Sequence, residues 1–103
     1  PDVILCIGQA GGRNAVTPEV IGINLREASI PDNAGYQPIN IPVIKGSREA
    51  YFATAPIREM IDAIRSLNIP ARLSYSAGTF VCNDVLYTFH ITHGLGPYKF
   101  GAL

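Results

Sequence analysis

A cysteine, a glutamate and two histidines are the side chains of this sequence best suited to chemistry. Cys82 follows a polar, glycine-containing stretch at residues 74–79 and opens the run Cys-Asn-Asp-Val-Leu-Tyr. This placement predicts a thiol in the first turn of a helix, where unpaired backbone N–H groups and the helix dipole favour the thiolate. A cysteine hydrolase requires such a nucleophile. The alternative is a small buried residue at a helix start, because free cysteine is among the most buried residue types.

Glu19 is a candidate partner for that chemistry. It lies between Pro18 and an apolar segment that begins at Val20. A carboxylate in this position is either a solvated residue at the end of a strand or the group that orients a catalytic imidazole. The residues alone leave both interpretations open.

His90 and His93 are candidates for a general base or for metal ligands. At ~1.5 Å of rise per residue, His90 lies roughly 12 Å from Cys82 along one predicted helix, well beyond the ~3 Å that proton transfer requires. Two histidines three residues apart can bind zinc, but no third ligand follows at a recognised spacing. We therefore predict no metal and no other cofactor, and interpret both residues as part of a solvated face near the helix end.

A glycine-rich loop follows the first apolar run. Gly8, Gly11 and Gly12 could cradle a phosphate, but their spacing matches neither the dinucleotide fingerprint nor a P-loop, since no Lys-Ser or Lys-Thr pair follows. A tight turn, or a close approach of the backbone to another group, is the favoured interpretation.

The composition indicates one domain at most, in a chain of 103 residues with zero formal net charge. Charged residues make up only 16% of the sequence, which indicates part of a larger fold or a subunit of a homo-oligomer. No cluster of basic residues supports a nucleic acid or an acidic membrane as partner. No apolar run is long enough to span a bilayer and no signal-peptide pattern is present, so we predict a cytoplasmic protein with reduced cysteines.

Hydrophobic patterning predicts how these groups are positioned. Residues 3–7 form an apolar run leading into the glycine loop, and residues 20–25 are rich in β-branched side chains, so both are predicted strands. Residues 30–43 carry frequent proline, asparagine and glycine, which predicts an extended excursion.

The clearest predicted helix lies in the second half of the chain, with Thr54 as its N-cap and with Asn68 and Pro70 ending it. Its apolar face comprises Ile57, Met60, Ile61, Ile64 and Leu67, and its charged face comprises Arg58, Glu59, Asp62 and Arg65. Residues 71–74 are predicted to form a short strand before the loop that leads to Cys82. Active sites of open α/β sheets lie beyond the carboxyl ends of strands, so the glycine loop and Cys82 should meet at one edge.

Two stretches together resemble the motifs of one enzyme family. Residues 8–11 (Gly-Gln-Ala-Gly) with residues 16–24 (Val-Thr-Pro-Glu-Val-Ile-Gly-Ile-Asn) resemble the active-site glutamate motif of the pyroglutamyl peptidase I family, also called pyrrolidone carboxyl peptidases. Residues 69–83, which end in Gly-Thr-Phe-Val-Cys-Asn, resemble the family's nucleophile motif. Residues 30–38 and 50–57 are similar to intervening family segments, so the resemblance covers nearly the whole chain.

The resemblance implies a cysteine peptidase that removes pyroglutamate from the N-terminus of peptides. It implies an α/β fold, a three-layer α/β/α sandwich around a mostly parallel sheet, with residues 1–103 as a partial domain incomplete at both ends. Cys82 would be the nucleophile and Glu19 the acid that orients the catalytic histidine, while Gln9, Phe80 and Val81 would line the pyroglutamyl pocket. A neutral lactam suits an uncharged pocket with one or two amide partners.

The sequence departs from the family pattern in three respects. Val20 stands where the family usually has a basic residue, and Ser29 stands where it usually has an arginine near the active site. The family's histidine follows the cysteine by about two dozen residues, and we expect this chain to stop just before it. The competing hypothesis is therefore a non-catalytic remnant that acts as a binding or subunit-association module.

Overall fold

The structure, a computed structural model, describes residues 3–93 and 99–102. In chain order these residues form β1 (Val3–Cys6), β2 (Ile21–Ile23), β3 (Ala50–Phe52), α1 (Ile57–Ser66), α2 (Val81–His93) and β4 (Lys99–Ala102). The combination of strands and helices confirms the predicted α/β class. Neither helix in these ranges is long and apolar enough to cross a membrane.

The strands of the described ranges pair in two sheets. β1 pairs in parallel with β4, from Val3 opposite Lys99 to Cys6 opposite Ala102. β2 pairs antiparallel with β3, with Ile21 opposite Phe52. The predicted strands at 3–7 and 20–25 are thus confirmed in shorter form. Strand β3 was not predicted, because it is only three residues long and lies between a polar segment and a proline-containing turn.

A parallel pairing joins residues 16–20 to residues 70–74, but the predicted strand at 71–74 is wrong. The contact consists of isolated bridges that pair Val16 with Ala71 and Glu19 with Ser74. Backbone bonds run from Val16 N to Pro70 O and from Val20 N to Ser74 O, each 2.9 Å long. Between them lies Pro18, which has no N–H to donate, so the ladder is interrupted before a regular strand can form.

Helix α1 supplies the main apolar core. Ile57 and Ile61 are buried together with Ala71, and Val16, Val20 and Leu73 are among the partly buried side chains packed against them. This face was predicted from the helical spacing, and the four charged side chains of the opposite face are exposed. The helix thereby braces the segments that carry Glu19 and the approach to Cys82.

Both predicted ends of α1 need a correction. The helix begins after Pro56, which makes no side-chain capping bond, rather than at a Thr54 cap. Proline disfavours helical backbone in the residue before it, so the helix cannot start at Ala55. At the other end the helix stops at Ser66, so Leu67 falls outside the apolar face and is 71% exposed. Asn68 adopts a left-handed φ of 60°, as its predicted role in helix termination requires.

Helix α2 packs closely on β2 at Gly22. A Cβ atom built on this buried glycine would lie 3.3 Å from both Leu86 Cγ and the backbone nitrogen of Tyr87. The absence of a side chain therefore allows the helix to approach the strand. The predicted excursion at residues 30–43 is also confirmed: it contains no helix or strand and is held by backbone bonds such as Ala28 N to Pro38 O.

Candidate active site

Cys82 is the second residue of α2, so the prediction of a thiol in the first helical turn is confirmed. The residue is exposed and its thiol is free, as is that of Cys6 on β1. The glycine loop passes directly beside it, because a Cβ atom built on Gly8 would lie 3.6 Å from the sulfur. A methyl group would just fit there, and a larger side chain would crowd the sulfur.

A cavity of about 170 Å³ joins most of the predicted site residues. Its lining includes Gln9, Thr17, Glu19, Val81, Cys82 and Val85. The predicted meeting of the glycine loop and Cys82 at one edge is thus confirmed. Phe80 does not line this cavity; it lines a larger one of about 680 Å³ together with Ser29, Ile30 and Ile39.

The carboxylate of Glu19 is buried, which excludes the solvated interpretation. The residue is only 6% exposed, although it carries an ionisable group. Its Oε1 atom accepts a hydrogen bond from Arg13 Nη1 at 3.2 Å. Its Oε2 atom is buried and has no hydrogen-bond partner among the described residues. A buried carboxylate oxygen without a partner is costly, so it marks a place where a donor is expected.

Arg13 is the first residue of the site that the sequence analysis missed. Its Nη1 atom donates to Thr17 Oγ1 at 2.8 Å and to Ser74 Oγ at 3.1 Å, besides its bond to Glu19. Its Nη2 atom donates to the carbonyl of Ser76 at 3.3 Å. The available signal was a guanidinium directly after the glycine loop, within six residues of Glu19. Because this cation is engaged by four oxygens, the structure gives the loop's phosphate interpretation little support.

Asn83, the residue after Cys82, is the second omission. Its side chain is completely buried. Its Oδ1 atom accepts from the backbone N–H of Ile23 at 2.8 Å, and its Nδ2 atom donates to the carbonyls of Ile23 at 2.7 Å and Leu25 at 3.2 Å. These bonds fix the first turn of α2 to the end of β2, and they therefore position the neighbouring sulfur.

An ion pair also lies at the start of α2. Arg26 Nε donates to both carboxylate oxygens of Asp84, at 2.8 Å and 2.9 Å. This hydrogen bond is the main cause that raises the pKa of Arg26 above its usual value. Arg26 balances a negative charge two residues from Cys82, where a lone carboxylate would oppose a thiolate.

His90 does not line this cavity. His90 lies further along α2, where its ring centroid is 4.4 Å from that of Tyr51. Burial, followed by the nearby charge of Arg48, lowers the pKa of His90 below its ordinary value. The side chain of His93 lies outside the described part of the structure. No group of three or more His, Cys, Asp or Glu residues in residues 3–93 and 99–102 could hold a metal ion.

A free cysteine at a helix N-terminus, sharing a cavity with a buried carboxylate on an α/β scaffold, is typical of cysteine hydrolases. The comparison with known families makes this class specific. The family model described as pyroglutamyl peptidase matches residues 1–101, and the chain belongs to that family.

Individual relatives agree with this assignment. The chain is 50% identical over 93 residues to a pyrrolidone-carboxylate peptidase of Enterococcus faecalis, and 51% identical over 96 residues to one of Streptomyces coelicolor. These matches cover 90% and 93% of this chain but only 43% and 42% of the relatives. The chain therefore spans less than half the length of these curated relatives.

Solved structures give the same result. Pyroglutamyl peptidase I from Bacillus amyloliquefaciens superimposes with a TM-score of 0.92 at 44% identity, covering 99% of this chain and 50% of the other. The pyrrolidone carboxyl peptidase of Thermococcus litoralis superimposes with a TM-score of 0.90 at 39% identity, covering 99% and 47%.

Proposed function

We propose that Cys82 and Glu19 are the nucleophile and the orienting carboxylate of a cysteine peptidase that removes N-terminal pyroglutamate from peptides. The observation that carries the proposal is the shared cavity, in which an exposed thiol lies with a buried carboxylate whose Oε2 atom has no partner among the described residues. Membership of the pyroglutamyl peptidase family supports the choice of substrate.

The proposed reaction uses the thiolate and an imidazole in turn. The sulfur of Cys82 attacks the carbonyl carbon that joins pyroglutamate to the next residue, and the imidazolium protonates the departing amine. Water, deprotonated by the now neutral imidazole, then attacks the thioester, releases pyroglutamate and restores the thiol. Glu19 holds the imidazole in orientation and stabilises its charged form.

The imidazole belongs beside Glu19 Oε2 in this proposal. A ring N–H donated to that oxygen would satisfy a buried acceptor and place the other ring nitrogen toward the cavity. His90 is a poor source, because its ring stacks with Tyr51 and it does not line the cavity. We propose that the histidine comes from outside the described residues, in keeping with the family resemblance.

Three residues are proposed to receive the pyroglutamyl group. Gln9 and Val81 line the cavity next to Cys82, so an amide and an apolar side chain are available to a neutral lactam. The Gln9 amide can both donate to the lactam carbonyl and accept from the lactam N–H. Phe80, the residue before Val81, is proposed to reach the same ligand from the larger cavity, which Ser29 also lines.

The proposal extends to the setting of the site. Residues 1–103 would be part of a three-layer α/β/α sandwich around a mostly parallel sheet, which the parallel pairing of β1 with β4 supports. Exposed apolar side chains such as Ile30 and Ile39 support association into a homo-oligomer, which sedimentation would test. A nucleophile that must stay reduced supports a cytoplasmic location.

Hydrolysis of a fluorogenic L-pyroglutamyl amide tests the function in the natural protein that contains these residues. We expect Cys82→Ala to lower kcat by about a thousandfold or more, and Glu19→Gln to lower it by a smaller but still large factor. Glu59→Gln, on the exposed face of α1, is the matched carboxylate control and should leave kcat unchanged.

The same assay distinguishes the cysteine peptidase from the non-catalytic module, the two hypotheses that the sequence analysis left open. Hydrolysis that survives Cys82→Ala would contradict the nucleophile assignment. A folded protein that binds pyroglutamyl peptides in calorimetry without hydrolysing them would favour the non-catalytic module.

A further inference from the structure

We infer that Arg13 is the positioning residue of this site, acting through Glu19. The inference deepens the proposed function and rests on it. The two oxygens of the Glu19 carboxylate have different partners in this account. Arg13 holds one oxygen, so that the other stays directed to the imidazole.

The contacts of Arg13 support this role. Its Nη1 atom lies within hydrogen-bond distance of Glu19 Oε1, Thr17 Oγ1 and Ser74 Oγ. Glu19 and Thr17 line the cavity of Cys82, and Ser74 is the bridge partner of Glu19. The guanidinium therefore lies where the glycine loop, the Glu19 segment and the segment leading to Cys82 converge. A planar group with several fixed donors suits such a point better than a flexible ammonium.

The burial of Glu19 explains why a cation is needed there. An ionised carboxylate that is 6% exposed loses most of its hydration, and an unpaired charge in that position is strongly unfavourable. Arg13 supplies a compensating charge on the Oε1 side alone. It thus fixes the rotation of the carboxylate without occupying Oε2, the atom proposed to accept from the imidazole.

The effects on kcat of replacing Arg13 and Glu19 should not be additive, whereas the effects of replacing a merely structural arginine and Glu19 would be. If Arg13 acts only through Glu19, its loss costs nothing further once Glu19 has been replaced. We expect Arg13→Gln to lower kcat for an L-pyroglutamyl amide by about tenfold to a hundredfold, as losses of orienting outer-shell partners do at metal sites. Arg13→Lys should recover part of this loss, because it keeps the charge.

The decisive comparison is the double variant in the natural protein. Arg13→Gln combined with Glu19→Gln should have a kcat within about twofold of Glu19→Gln alone. Arg72→Gln is the matched control, since Arg72 is an exposed arginine of the same region that donates to Asn14 Oδ1 at 3.3 Å rather than to Glu19. It should leave kcat unchanged.

Two results would overturn the inference while the proposed function stands. One is an Arg13→Gln variant that behaves like Arg72→Gln, and the other is a pair of losses that multiply in the double variant. If circular dichroism shows that Arg13→Gln is unfolded, Arg13→Lys replaces it in the same double-mutant cycle with Glu19→Gln. Hydrolysis that is absent, or that survives Cys82→Ala, would instead refute the proposed function and this inference with it.

Discussion

Asn83 and Ile23 hold each other through both polar groups of one amide. Asn83 Oδ1 accepts from the backbone N–H of Ile23, and Asn83 Nδ2 donates to the carbonyl of the same residue. The pair replaces two bonds that β2 would otherwise seek from a neighbouring strand. It also fixes the residue next to Cys82, so strand β2 and Cys82 are positioned as one unit.

Replacement of Asn83 by aspartate should therefore destabilise the fold. The carboxylate keeps the shape but has no N–H to donate, and it would face the carbonyls of Ile23 and Leu25. We expect a loss of about 3 kcal/mol or more in the free energy of unfolding, measured by urea denaturation. Asn33→Asp, in the exposed excursion, should change it by less than about 0.5 kcal/mol. Equal effects of the two changes would contradict the role of the Asn83 amide.

Gly22→Ala tests the packing of α2 on β2. The new methyl group would lie 3.3 Å from the Tyr87 backbone nitrogen and from Leu86 Cγ, so the helix must move away. Overpacking of this kind costs about 1–3 kcal/mol. Gly11→Ala is the control, because its methyl group would meet nothing within 4 Å. Thermal unfolding of both variants measures the difference, and a Gly22→Ala protein as stable as Gly11→Ala would refute the close contact.

The stability of the protein should depend on His90 in mildly acidic solution. Burial and Arg48 keep the folded-state pKa of His90 below its ordinary value, so the unfolded chain takes up the proton first as the pH falls. Stability is then lost as the pH drops below about 6.5. Urea midpoints of the wild type and of His90→Gln between about pH 7 and pH 5 measure this contribution. The variant should show the flatter pH dependence, and identical slopes would contradict the prediction.

The two cysteines should differ in their reaction with iodoacetamide. Cys82 is exposed at a helix N-terminus, whereas Cys6 is partly buried on β1. We expect Cys82 to be alkylated first, because it is more accessible to the reagent than Cys6. Peptide mass spectrometry over time gives the two rates. Modification of Cys6 before Cys82 in the wild type would contradict the greater accessibility of the Cys82 thiol.

Local patterns in the sequence were sufficient to predict much of the fold around the site. The spacing of Ile57 and Ile61 predicted the buried face of α1, and the stretch before Cys82 predicted its place in the first turn of α2. Both depend on residues close together in the chain. The sequence alone left two interpretations of Glu19 open, and the resemblance to a family favoured the orienting carboxylate; the structure places the residue in the cavity of Cys82.

Long-range contacts account for what the sequence did not predict. The bonds of Arg13 to Ser74 and of Asn83 to Ile23 join residues 61 and 60 positions apart. The predicted strand at 71–74 is wrong for a similar reason. The residue that interrupts the ladder, Pro18, lies in the partner segment rather than in the predicted strand itself.

Covalent trapping with an L-pyroglutamyl chloromethyl ketone tests the central claim most directly, because it reports the nucleophile and the ligand together. We predict that the reagent modifies Cys82 in the natural protein, that free pyroglutamate slows the reaction, and that the prolyl analogue, which lacks the lactam carbonyl, reacts more slowly. Peptide mass spectrometry identifies the modified residue. Modification of Cys6 instead, or equal rates for the two reagents at Cys82, would contradict a pyroglutamyl site at this cysteine.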